Sequence, residues 1–309
     1  MRKLTSLLTL SIVFVAAACG GGTAAPKTGS PPEPWAPAMV QVENAPGTEP
    51  HAGLQQAAIV FEYLTEGGIT RFTAVYFNPA GSTKIEPVRS ARLITVRLVR
   101  SFKGVLFFSG ASTHVAGVLN GDRIPYFTED ATQYFARDSS RDAPHNLYTS
   151  GDQLALGVKA KNLHRGYALW PTGPAPAGGK PVQSISFDQT PAHHVTCKFS
   201  GGSYTYDGET DANAGGAPVK ISNVVILQVA HHDAGYTEDV LGADGIDFDL
   251  QGTGPATLYR DGKRYDAKWD LSNPDRPLRL LAADGKALAM AAGLTWVFVV
   301  DPGTAVTES

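Results

Sequence analysis

The sequence predicts an α+β protein, a mixed α/β N-terminal domain followed by a mainly antiparallel β C-terminal domain. Three observations carry this. Of the 309 residues, 43% are hydrophobic and 18% charged, enough apolar surface for folded cores. The 33 Gly and 21 Pro demand many turns and disfavour a long helical bundle. The hydrophobic pattern also changes near residue 170, from mixed helix and strand periods to strand periods almost alone.

Residues 1–18 read as an export signal: Arg2 and Lys3, then an apolar run, then Ala17 and Ala18 before Cys19. The run is too short to span a bilayer, and the small residues before the cysteine mark Cys19 as the site of lipid attachment. Removal of the signal takes the 26 basic residues to 24 and the formal charge from -3 to -5. A nucleic-acid partner is excluded, because it would need a basic excess. Residues 19–37, rich in Gly, Pro and Ser, read as a tether between lipid and folded chain. Cys197 is the other cysteine, so no intramolecular disulfide is expected in the mature chain, and its alternating surroundings suit a small buried side chain.

The N-terminal domain is placed at residues 38–169. Residues 38–42, 59–64 and 69–77 read as short buried strands rich in β-branched and aromatic side chains. Residues 90–102 form the best helix, with Ser90 as cap and Ile94, Leu98 and Phe102 on one face. A strand at 105–108 and shorter helices at 113–120 and 152–161 complete the domain. Residues 170–182, crowded with Pro and Gly, form a linker. The C-terminal domain, 183–303, is read as strands at 183–187, 194–199, 220–229, 256–260, 264–269 and 295–300, with Asp261-Gly262 as a two-residue hairpin turn. Residues 304–309 are left as a tail.

Three polar clusters in the N-terminal domain are candidates for chemistry. In the first, Glu62, Glu66 and Arg71 flank the Gly67-Gly68 turn, an arrangement that suits acid/base work or a structural ion pair. In the second, Arg89, Ser90 and Arg92 precede the main helix, where unpaired backbone N–H groups and two guanidinium forks favour an anion. The alternative there pairs Arg89 with Glu62 or Glu66 and leaves Arg92 exposed. The third cluster holds Arg137, Asp138, Arg141, His145 and Asn146; Asp138 could orient His145, or the segment could be a loop bonded to its own backbone. No phosphate loop, nucleophile elbow, Ser-x-x-Lys pair or His-Glu-x-x-His helix occurs. His231-His232 and His193-His194 point their neighbouring rings to opposite sheet faces, so no metal or cofactor is expected.

In combination these blocks resemble the YerB-like family of bacterial lipoproteins. The resemblance rests on Val42-Glu43-Asn44, Gly53-Leu54, Val60-x-Glu62, Glu66-Gly67-Gly68-Ile69-Thr70-Arg71-Phe72, Pro87-Val88-Arg89-Ser90-Ala91-Arg92, Arg137-Asp138 and Pro144-His145-Asn146-Leu147-Tyr148-Thr149, in the family's order. Asn223-Val224-Val225, the Asp261-Gly262 hairpin and Gly293-x-Thr295-Trp296-Val297 extend it into the C-terminal domain. The resemblance implies a two-domain lipoprotein on the extracytoplasmic face of the membrane, held in the bilayer by acylated Cys19, and supplies no reaction. Three functions remain open on the sequence. One is binding of an anionic envelope glycan or peptidoglycan fragment by Arg71, Arg89, Ser90, Arg92, Arg137, Arg141 and Asn146. Another is an envelope hydrolase or transferase using Glu62 or Glu66 with His145. The last is a buried polar network that specifies the fold.

Overall fold

The computed structural model describes residues 34–309, so the export signal, Cys19 and most of the tether lie outside the described residues. The described residues cluster as one unit. The α+β class is observed, and both sequence segments contribute strands to one eleven-stranded sheet. At its centre stand β1 (Ala38–Asn44), β2 (Ile59–Leu64) and β3 (Thr70–Tyr76), with β3 antiparallel between the other two. The strand Thr295–Val300 pairs parallel with β2 and with Asn223–Gln228, which joins the antiparallel strands Gly252–Arg260, Lys263–Leu271 and Arg279–Leu281. On the other side β1 pairs parallel with Val105–Phe107, and that strand with Tyr126–Phe127.

β1, β3 and Thr295–Val300 are buried along their whole length, because the sheet is covered on both faces. One face carries Val40, Val42, Val60, Phe72 and Phe298 against a four-stranded sheet that contributes Ile185, Phe187, Val195 and Cys197. The other carries Met39, Phe61, Val75 and Val297 against the helix α1 (Leu93–Phe102). Helices α2 (Thr113–Gly121) and α3 (Gly151–Lys161) start on the side-chain caps Ser112 and Ser150, which accept from Val115 N and Gln153 N. Cys197 is buried and unpaired, and burial pushes its thiol well above the ordinary range.

Several boundaries differ from the sequence reading for local reasons. α1 begins at Leu93, and Arg92, not Ser90, is its N-cap. Ser90 and Ala91 stay outside the helix, where the Ala91 N–H donates to Gly110 O and the Ser90 carbonyl accepts from Arg71. At the edges of the segments read as tether, linker and tail, side chains pack as well. Trp35 stacks on His164 at 4.2 Å, Lys180–Pro181 pairs with Lys263–Leu271, and Thr307–Glu308 pairs with Ser184–Thr190. The hairpin His231–Thr237 with Asp244–Phe248 was not anticipated, since its Gly-, His- and Asp-rich strands lack an apolar alternation. Among the described residues no helix is long and apolar enough to cross a membrane.

Candidate functional site

Strand alternation divides the polar residues of the central sheet. Glu43 stands opposite Arg71, and Arg71 opposite Tyr63, whereas Glu62 stands opposite Phe72, one residue out of phase. Glu43, Tyr63 and Arg71 therefore face α1, and Glu62 faces the four-stranded sheet.

Glu62 is fully buried and fully bonded. Its Oε1 accepts from Thr70 Oγ1 at 2.9 Å and from Asn44 Nδ2 at 3.4 Å, and lies 2.9 Å from His193 Nε2. Its Oε2 accepts from Trp296 Nε1 at 2.9 Å. The Tyr206 hydroxyl lies 2.6 Å from the same His193 nitrogen. Burial opposes charge on His193, but the hydrogen bond and the charge of Glu62 outweigh it and hold the imidazole pKa above its usual value.

The α1 face holds a different assembly. Under the helix, Gln41, Tyr63, Thr73 and Thr95 bond to one another over 2.7–3.2 Å. Beside them Arg71 is 3% exposed. Its Nη1 donates to Ser90 O at 3.3 Å; among the described residues the nearest carboxylate oxygen in an ion pair with it, on Glu66, is 4.0 Å away, and its Nε has no partner. Burial, and then the neighbouring charge of Arg92, lower the Arg71 pKa to about 10.

Arg92 grips Glu66 with two nitrogens: Nε donates to Oε2 at 2.6 Å and Nη2 to Oε1. Its Nη1 donates to Ala91 O at 2.9 Å and lies 3.5 Å from Glu238 Oε1 on the hairpin. Burial would raise the Glu66 carboxyl, but the hydrogen bonds and charge of Arg92 hold it below its usual value. Arg89 and His145 meet on Glu43, with Arg89 Nε 3.0 Å from Oε1 and His145 Nδ1 2.6 Å from Oε2. Arg89 and His145 are the solvent-facing members, at 24% and 43% side-chain exposure, while Glu43 and Arg71 stand behind them.

The backbone explains why these groups meet. Residues 87–91 lie between β1 and the end of the parallel strand Val105–Phe107: Glu43 N donates to Pro87 O, Arg89 N to Gln41 O, and Ser109 N to Arg89 O. The assembly thus occupies the carboxyl end of adjacent parallel strands, where α/β sheets place ligands. α1 starts directly after Arg92, and α2 at Thr113, shortly after Gly110, whose carbonyl accepts from Ala91 N, so two helix N-termini lie near it.

The structure brings Arg71, Arg89, Ser90, Arg92, Glu66 and His145 together, and separates the rest. Glu62 and Glu66 lie on opposite faces and do not flank a common cleft. Asp138 does not orient His145: it pairs with Lys84 and accepts from Ser140 N at 2.8 Å, and these bonds push its carboxyl well below the ordinary range. Arg137 donates to Asn146 Oδ1 at 2.8 Å, and Arg141 to the carbonyls of Thr48 and Pro50 at 2.6 and 3.2 Å, so these three tie the 137–147 loop to itself and to the loop that follows β1. Arg89 pairs with Glu43 rather than with Glu62 or Glu66, and Arg92 is buried rather than exposed. Among the described residues no group of three or more His, Cys, Asp or Glu is placed to hold a metal ion. His231 turns to Asp301 and His232 towards Asp249, at 2.9 and 3.7 Å.

Glu43, His193, Tyr206, Trp296 and Glu238 were missed as members of these assemblies. Only Glu43 left a signal that spacing could have found, as a carboxylate in register with Met39 and Gln41 on a fully buried strand.

Residues 23–164 match the N-terminal domain of a family described as a protein of unknown function (DUF3048), and residues 189–297 match that family's C-terminal domain. The chain is 28% identical over 285 residues to "Putative lipoprotein YerB" of Bacillus subtilis (strain 168), covering 85% of this chain and 81% of that one. A crystal structure of the YerB protein from Bacillus subtilis superposes with a TM-score of 0.75 at 27% identity, covering 90% of this chain and 94% of the other. With both domain models matched in order over most of its length, the chain belongs to the YerB-like DUF3048 family.

Proposed function

We propose that this chain is a lipoprotein of the cell envelope that binds an anionic ligand, a carboxylate- or phosphate-bearing glycan or peptidoglycan fragment, at the Arg71, Arg89, Ser90 and Arg92 assembly. The observation that carries the reading is Arg71: a buried guanidinium with, among the described residues, an unpartnered Nε and no ion-paired carboxylate oxygen nearer than 4.0 Å, set behind the half-open Arg89 and Ser90. A ligand oxygen would supply the missing acceptor, and the two helix N-termini favour its charge. Arg137, Arg141 and Asn146 serve this site indirectly, by fixing the loop that carries His145. Glu62 serves the fold instead, as a carboxylate satisfied from every side.

The anchor is part of the proposal. Cys19, acylated after removal of residues 1–18, would hold the folded chain on the extracytoplasmic face, and tethering raises the effective concentration of envelope polymers at the site. Replacing Cys19 by Ser should move the protein from the membrane fraction to the soluble fraction of fractionated cells; retention in the membrane overturns the anchor.

Binding is tested by calorimetric titration of residues 33–309 with muropeptides and with glycerol phosphate oligomers. Loss of one charge-assisted contact in Arg89→Ala should weaken binding by about tenfold, with the melting temperature little changed, because Arg89 is partly exposed and His145 remains on Glu43. Equal affinity in the Arg89→Ala variant, or no binding of either probe by the unaltered protein, sinks the anionic-ligand reading.

A further inference from the structure

The hairpin from His231 to Phe248 ends in a turn that presents two apolar side chains to solvent. Val240 is 101% exposed and Leu241 90%. The turn is built to hold them there. Asp239 Oδ1 accepts from Leu241 N at 2.9 Å and from Ala243 N at 3.1 Å, and Gly242 N donates to Asp239 O at 3.2 Å. The hairpin is fixed in turn by Arg97, which donates to both oxygens of Asp247, and by Arg92 beside Glu238. Residues 231–249 hold six acidic side chains and no Lys or Arg, and Asp239 and Asp244, which flank the apolar pair, make no ion pair among the described residues. An acidic turn of this kind is repelled by anionic lipid and by anionic glycan, and it suits an apolar recess with a cationic rim.

The same chain carries a recess of mixed lining, part apolar and part cationic. A groove of about 650 Å³ has Tyr167, Leu169, Trp170 and Leu288 among its walls and Lys103 and Arg276 at its rim. Lys103 and Arg276 make no ion pair among the described residues, and Asp275, also in the groove, is engaged by Arg100 at 3.1 Å. Of the four large apolar side chains exposed among the described residues, Val240 and Leu241 form the turn and Leu169 stands in the groove. Isolated exposed apolar residues need no explanation; two complementary sets of opposite charge do.

The two sets cannot meet within one molecule. The hairpin's Glu238, next to the turn, reaches the N-cap of α1, and Lys103 caps its other end. Ten helical residues separate them by about 15 Å.

We infer that the turn of one copy docks in the Trp170 groove of a second copy, giving head-to-tail association. Such a contact is heterologous, so it leaves a free turn at one end and a free groove at the other and can extend. A two-residue anchor buries less than a standard interface of about 1,600 Å², so the association is weak in solution and is favoured where copies are concentrated on a surface.

Sedimentation velocity of residues 33–309 tests this. The weight-average mass should rise about twofold towards concentrations of hundreds of micromolar, and fall back in high salt. Val240→Ser with Leu241→Ser should stay monomeric, and so should Arg276→Glu with Lys103→Glu, each keeping the monomer's melting temperature. Mixing the two variants should restore a one-to-one dimer that does not extend, because each supplies the half the other lacks. A monomer at every concentration, normal association of either variant, or no dimer in the mixture overturns the proposal. Sedimentation of the unaltered protein with phosphatidylglycerol vesicles, lost in the Val240→Ser, Leu241→Ser variant, would assign the turn to lipid and overturn it as well.

Discussion

Replacing Glu62 by alanine should destabilise the fold by about 3–5 kcal/mol, the cost of breaking a buried, fully paired ionic group. Thr70, Asn44 and Trp296 all donate to this carboxylate, and the indole N–H comes from a strand 234 residues away in sequence. In the Ala variant these donors lose their acceptor inside a dry core, and each unsatisfied group carries its own desolvation penalty. For a chain of this size the loss corresponds to a melting temperature lower by roughly 10 °C. Glu62→Gln keeps one carbonyl acceptor and should cost less, about 1–2 kcal/mol, so it reports on the network even where the Ala variant fails to fold. A Glu62→Ala protein that melts with the unaltered one would refute the network.

The same network sets a pH dependence. The folded state holds the His193 proton more tightly than the unfolded chain, whose imidazole titrates near 6.5. Its contribution is therefore fully present below pH 6.5 and is lost as pH rises through the higher, folded value. Denaturation midpoints of the unaltered protein should fall across that window relative to those of Glu62→Gln, in which the partner charge is gone. Parallel profiles of the two proteins would show that Glu62 does not charge the ring.

The contrast between Glu62 and Glu66 shows where sequence reasoning carried and where it stopped. β2 and Thr295–Val300 are legible to the residue, because strands buried on both faces leave nearly continuous apolar runs bounded by turn residues, interrupted in β2 by Glu62 alone. Asp261-Gly262 is legible because both residues take positive φ, 54° and 67°, which that dipeptide tolerates. Glu62 and Glu66 are four residues apart, an even spacing that in a continuing strand would place both on one face. The strand ends at Leu64, however, and Gly67 and Gly68 turn the chain with φ of 73° and 74°. Glu66 is thereby carried to the α1 face, while Arg71, an odd step from Phe72, stays there with it. No local pattern encodes such a turn's effect on side-chain direction. The partners that complete each site, Trp296 and His193 for Glu62 and Glu238 for Arg92, are set by sheet order and by the hairpin, which are tertiary facts.

The second large effect is expected at the Arg92–Glu66 pair. Both side chains are 10% exposed, and the guanidinium meets the carboxylate through two nitrogens, so truncation of Arg92 to Ala strands a carboxylate in a site built for a cation. The expected cost is about 3 kcal/mol. Arg92→Lys should recover only part of it, since an ammonium cannot form the two-pronged contact. Replacing both partners, Arg92→Met with Glu66→Leu, should be milder than either single change, and the double-mutant cycle should give a favourable coupling above about 1 kcal/mol. Acid adds a second signature. The Glu66 carboxyl titrates below its ordinary 4.5 when paired, so the pair's stabilisation is complete above pH 4.5 and fades as pH falls through the folded value. Arg92→Ala should therefore flatten the acid limb of the stability profile as well as lower the plateau. Because Arg92 Nη1 also faces Glu238, the variant should loosen the 231–248 hairpin, read as faster amide exchange there than in the central sheet. A coupling near zero in the cycle, with an unchanged acid limb, would mean that Arg92 and Glu66 each bond to something else in solution. The anion site would then have to be rebuilt around Arg71 and Arg89 alone.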